Sequence, residues 1–185
     1  MRKYLLCLCA VLLMAAPARA GSTHLIGSGV ASGGGETITI GSEASDRPAY
    51  TGGNETDIDG NATASGTGTI TQIKMFVHAV GDDNWKVGIF YRPDAGGAPN
   101  NFTCRDATGN LDVDTGLNTF NAPGDFTALS VVEGDFIGVF FNGGSIDATG
   151  SAGTNWWLAG DQTACEDTEF SAYTSVLSLY GEGSE

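Results

Sequence analysis

The chain is 185 residues long, with 22 acidic against 8 basic residues and a formal charge of −14. So anionic a surface repels nucleic-acid phosphates and anionic lipid headgroups, which excludes both as ordinary partners. With 28 glycines, and no stretch of ten or more residues carrying a helical repeat, a helical bundle is excluded as well.

Residues 1–20 read as a secretory signal peptide. Arg2 and Lys3 give a positive start, and Leu5 to Ala16 give an apolar run too short to span a bilayer. Ala18-Arg19-Ala20 is a small-x-small cleavage site. Cys7 and Cys9 lie inside the apolar run, which argues against lipoprotein processing. An uncleaved N-terminal anchor is the alternative. Cleavage leaves Arg47, Lys74, Lys86, Arg92 and Arg105 against all 22 acids, a formal charge of −17. The expected destination is outside the cell or on its surface. There the remaining cysteines, Cys104 and Cys165, are expected to form one disulfide. Closing that loop is worth roughly 4 kcal/mol in chain entropy; two free or intermolecular thiols are the alternative.

Residues 21–36 form a Gly/Ser-rich leader, and residues 37–185 a single domain. Thr37-Ile38-Thr39-Ile40 alternates at period two and predicts a first strand. Residues 41–61 read as a long turn-rich loop, or a loop around a short strand. Thr69 to Val80 alternates, with Ile73, Met75, Val77 and Ala79 on one face. After the turn at Gly81-Asp82-Asp83-Asn84, Trp85 to Tyr91 resumes, and the two runs predict an antiparallel hairpin. Pro93 to Asn100 is a loop. Phe102 to Arg105, Leu117 to Asn121 and Phe126 to Val132 predict further strands. After the turn Glu133-Gly134-Asp135, Phe136 to Phe141 is almost continuously apolar, as expected of a central strand covered on both faces. Trp156-Trp157-Leu158 and Ala172 to Tyr180 supply the last strands. The pattern predicts an all-β antiparallel sandwich, jelly-roll-like, of about nine to ten strands.

Gly41-Ser42-Glu43-Ala44-Ser45-Asp46-Arg47, Asn101-Phe102-Thr103-Cys104-Arg105-Asp106, Glu133-Gly134-Asp135-Phe136-Ile137-Gly138-Val139-Phe140-Phe141 and Ser178-Leu179-Tyr180-Gly181 carry a resemblance. Together they resemble a β-sandwich domain recurring in secreted and surface proteins of environmental microbes and phages, over roughly residues 38–182. The resemblance implies an extracellular, non-catalytic setting and carries no functional residue with it.

Five further readings stand beside this. Glu55-x-Asp57-x-Asp59-Gly60 places three carboxylates at alternate positions before a glycine, the first half of a calcium loop, so a structural Ca2+ is expected there. A bidentate acid six residues past the glycine is missing, Gly66 standing in its place; a solvated acidic turn is the alternative. Trp85, Trp156 and Trp157 are candidates for ligand or subunit contact through their flat faces. Adjacent Trp156 and Trp157 must point to opposite faces of a strand, so one belongs to the core. Catalysis finds little support: His78 is the lone histidine of the domain, and no nucleophile elbow, zinc-protease motif or phosphate loop is present. Asn54, Asn61 and Asn101 head glycosylation sequons. Thr37, Ile38, Thr39 and Ile40 form a candidate donor strand for a neighbour's open sheet edge, unless they close their own sheet. The expected function is a secreted, non-catalytic structural or adhesive surface protein, self-assembling into a homopolymer by strand donation. The alternative is a calcium-stabilised module binding extracellular glycans.

Overall fold

A computed structural model describes residues 35–82, 84–94 and 100–185. The expected signal peptide and nearly all of the leader lie outside them. The described chain is all-β, with twelve strands: β1 (Thr37–Gly41), β2 (Ala49–Asp59), β3 (Gly68–Ala79), β4 (Lys86–Tyr91), β5 (Asn101–Ala107), β6 (Gly116–Asn121), β7 (Leu129–Val131), β8 (Phe136–Ala148), β9 (Asn155–Ala159), β10 (Thr168–Glu169), β11 (Ser171–Tyr173) and β12 (Leu179–Ser184). All pairings are antiparallel, and the sheet runs β1-β12-β3-β8-β2-β9-β11 without closing into a barrel. β6 and β7 also pair with β3, β4 with β8, and β5 lies between β4 and β10. The count exceeds the nine or ten expected; β7, β10 and β11 are only two or three residues long.

β3 and β8 pair only through Val77–Ile146 and Ala79–Ser145, which makes a corner between two layers. The larger core fills the space between them. Ile38 and Ile40 of β1, Ile73, Met75 and Val77 of β3 and Leu179 of β12 meet Val87 and Ile89 of β4 and Ile137, Val139 and Phe141 of β8 there. A smaller aromatic core, with Ile58, Phe90, Phe102, Trp156 and Phe170, lies on the other face of the β4-β8-β2-β9 layer. Arg92 caps it, its guanidinium 4.5 Å above Trp156 and 5.3 Å from both Phe102 and Phe136. β8 is therefore covered on both faces. Ile137, Val139 and Phe141 point into the larger core and Phe136 packs on the smaller one, so its unbroken apolar run needs no alternation.

Three expectations are corrected. The runs 69–80 and 85–91 do not form a hairpin: β3 pairs with β12, β6, β7 and the far end of β8, while β4 pairs with the near end of β8 and with β5. The connection between them crosses from one layer to the other. Gly81, at φ +70, passes against the backbone of Gly143 and Gly144, where a Cβ would collide. Trp85 then anchors it by donating from Nε1 to Val80 O at 2.8 Å. Second, residues 41–61, expected to be a long loop or a loop around a short strand, contain the eleven-residue strand β2. Its pairing with both β8 and β9 supplies the order that its glycines and polar residues hide. Third, Cys104 and Cys165 are not bridged. Their backbones touch, Cys104 N donating to Cys165 O at 3.0 Å, but each thiol turns to a carbonyl instead, Cys104 to Asp106 and Cys165 to Phe102. Burial pushes the Cys104 thiol up to about 12.

Candidate ligand-binding site

β2 carries the acids. Directly opposed residues of antiparallel strands share a face, so three rows cross the β8-β2-β9 layer. They are Phe141–Glu55–Ala159, Val139–Asp57–Trp157 and Ile137–Asp59–Asn155, the last two extended on β11 by Ser171 and Tyr173. Thr56 and Ile58 face the other way, and Ile58 joins the aromatic core. Toward β8 each row ends in core side chains; toward β9 and β11 the Asp57 row passes through Trp157 to Ser171 and the Asp59 row through Asn155 to Tyr173. A bulge between Gly52 and Asn54 lets Thr51 approach the same corner, where its hydroxyl donates to Glu55 Oε1 at 3.3 Å. Thr51, Glu55, Trp157 and Tyr173 line an open pocket of about 260 Å³.

The three acids meet different fates. Asp59 is fully buried and half answered: Asn61 donates to its Oδ1 from both backbone N and Nδ2, while Oδ2 meets no donor. The Asn155 amide, oriented to satisfy both its atoms, adds a donor at 3.2 Å. Burial raises its pKa, and Ser42 and Asn61 offset part of the rise. Glu55 is half-buried, its pKa also raised by burial. Asp57 is 0% exposed, and no donor meets either carboxyl oxygen. Burial first, and the charge of Glu55 second, push it up to about 8; the Thr51 and Tyr173 hydroxyls lie near enough to offset a little, without hydrogen-bonding geometry. Burial and the neighbouring Asp57 raise the Tyr173 phenol in turn.

The predicted calcium loop is therefore not a loop. Alternate residues on a strand share a face but stand roughly 6.5 Å apart, twice the rise per residue, so Glu55, Asp57 and Asp59 do not wrap around one centre. Among the described residues no three acids, histidines or cysteines converge. The tryptophans divide as strand geometry requires. Trp85 and Trp156 are core, Trp156 donating from Nε1 to Asn100 Oδ1 at 3.0 Å, and Trp157 is 39% exposed. Thr37 to Ile40 pair in cis with β12, burying Ile38 and Ile40 in the chain's own core. Sequence reading missed Thr51 and Tyr173, which are distant in the chain; only the β2-β9-β11 register brings them to the acids.

His78 has a partner the sequence did not reveal. Its Nδ1 lies 3.1 Å from Oδ1 of buried Asp147, which also accepts from Arg47 N at 3.0 Å, and Tyr50 stacks on the imidazole at 4.2 Å. Ser178, the nearest hydroxyl in that network, donates to Ser45 O and accepts from Arg47 Nε. It is therefore held by groups other than the imidazole. No protein-family model matches the chain, and no curated protein matches it.

Proposed function

We propose that the protein is a non-catalytic adhesive domain that binds extracellular glycan at the Trp157 pocket. The observation that carries this reading is the exposed Trp157 ring beside Glu55, Thr51 and Tyr173. An apolar flat face flanked by hydroxyl and carboxylate groups suits a sugar ring, whose C–H face stacks and whose hydroxyls hydrogen-bond. The test is retention on insoluble polysaccharides and a glycan array, with and without calcium. Wild type is retained and Trp157→Ala is not; no retention of wild type in either condition removes the reading.

A second reading, self-assembly into fibres, has one observation in its favour. β1 is an edge strand whose only strand partner is β12, and it also bonds to residues 62–65 through Gly41 N to Ala62 O and Ser65 N to Thr39 O; exchanging it between two copies would reproduce these contacts in trans. Size-exclusion chromatography at several concentrations tests this, and a strict monomer counts against it.

A further inference from the structure

Burying a carboxylate is costly unless donors or a cation answer it. Four aspartates are buried among the described residues: Asp57, Asp59, Asp135 and Asp147. Three find partners within the chain. Asn61 serves Oδ1 of Asp59, whose Oδ2 has no partner; Arg47 N and His78 serve Asp147; Arg105 and Val132 N serve Asp135. Asp57 alone has both oxygens unmet, and its neighbour on the same face is a second acid, Glu55.

None of the domain's five basic side chains answers it. Lys86 is spent on Asp161 and Arg105 on Asp135; Arg47 bonds Ser178 and Glu43 O. Arg92 lies over the aromatic core, and Lys74 lines a hollow with Leu117 and Tyr180. The missing positive charge would have to come from solution; Asp57 does not itself line the open pocket, but Glu55 and its neighbours Thr51 and Tyr173 do. A proton would neutralise one carboxyl and leave its second oxygen without a donor. A hard divalent cation accepts several oxygens at once, and this corner offers two carboxylates and two hydroxyls and no nitrogen or sulfur.

We propose that Glu55 and Asp57, with the hydroxyls of Thr51 and Tyr173, bind one hard divalent cation of the calcium class beside the Trp157 pocket, which Glu55, Thr51 and Tyr173 line. The site differs from the predicted loop: Asp59, engaged by Asn61, is not a ligand, and Thr51 and Tyr173 are. Water, or the hydroxyls of a sugar stacked on Trp157, completes the shell. The proposal rests on reading this pocket as a binding site, but metal binding can be measured with no glycan present, so the two can fail separately.

The experiment compares melting of the full chain in calcium and in chelator, and terbium luminescence excited through Trp157. Calcium at a hundredfold its Kd raises the wild-type midpoint by about 5–10 °C, because a ligand bound only by the native state must raise it. Terbium bound beside Trp157 emits on indole excitation, and excess calcium quenches that emission. Asp57→Asn melts in chelator no lower than wild type and gains nothing from calcium. Glu55→Gln, at a half-exposed position that tolerates change, weakens calcium binding at least tenfold. Asp112→Asn, an exposed acid elsewhere, keeps the full shift. Trp157→Ala keeps the calcium shift and loses the sensitised emission. A wild-type midpoint identical in calcium and chelator overturns the proposal, as does a calcium shift in both Asp57→Asn and Glu55→Gln equal to that of wild type.

Discussion

Replacing Arg105 by alanine should cost the fold about 2–3 kcal/mol. Asp135 follows the turn at Glu133-Gly134, and its carboxylate is almost wholly buried. Arg105 meets it with a fork, Nε to Oδ2 at 2.6 Å and Nη2 to Oδ1 at 3.1 Å, while Val132 N adds a third donor at 2.8 Å. The hydrogen bond to Asp135 raises the pKa of the guanidinium, which also lies 4.5 Å above the ring of Tyr91. Hydrogen bonds to a charged group contribute about 1.5–3 kcal/mol, and a cation over an exposed ring about 0.5–1 kcal/mol. Solvent reaches the outer side of Arg105, which discounts the sum, but alanine would also strand a buried charge with one backbone donor. The same turn pins a distant loop, Ala64 N donating to Asp135 O and Gly134 N to Ala64 O, so loosening spreads to residues 62–65. Denaturant melts of Arg105→Ala, Asp135→Asn and the double variant give the coupling, expected at about 1–2 kcal/mol with a midpoint loss of about 5–10 °C for the single arginine change. A coupling below about 0.5 kcal/mol, or a loss that vanishes in molar salt as a surface pair's would, refutes the reasoning.

Other outcomes follow from burial. Trp85→Ala should lose about 3–5 kcal/mol in denaturant melts, whereas Trp157→Ala should stay within about 1 kcal/mol of wild type. In chelator, Asp57 holds in the native state a proton that the unfolded chain has released. That stabilising contribution is complete below pH 4 and is lost as pH rises toward 8, so wild-type stability should fall more steeply over this window than that of Asp57→Asn. Equal slopes in the two proteins would show that Asp57 titrates normally. The Cys104 thiol, pushed up to about 12, should alkylate far more slowly at pH 8 in the native chain than after denaturation, followed by mass spectrometry.

What could be read from the sequence depended on how loudly the apolar pattern spoke. β3 announced itself through Ile73, Met75 and Val77, and β8 through its unbroken run, because burial on one face or two writes directly into residue choice. β2 was misread because its buried face is acidic and its first half contains Gly52, Gly53 and Asn54, so propensity pointed to a turn while pairing with two neighbours made a strand. The hairpin between residues 69 and 91 failed for a related reason. A short polar turn between two alternating runs is the same in a hairpin and in a crossing between layers, and only the partners of β8 decide. At the site, the acids and Trp157 were legible as residue types. Their assembly with Thr51 and Tyr173 was not, because it depends on a bulge and on registers that join residues more than a hundred positions apart.

The pairing of β1 with β12 sets the timetable of folding. Thr37 lies beside Ser184 and Gly41 beside Tyr180, so the earliest strand to emerge finds its seat only when the latest has arrived. Until then β1 lacks its only strand partner, and closing a loop of that length is slow. The two ends of the domain also meet at one seam. A short linker across that seam, with new termini opened in an exposed turn such as Gly150 to Gly153, should give a circular permutant that keeps every strand neighbour and removes the wait.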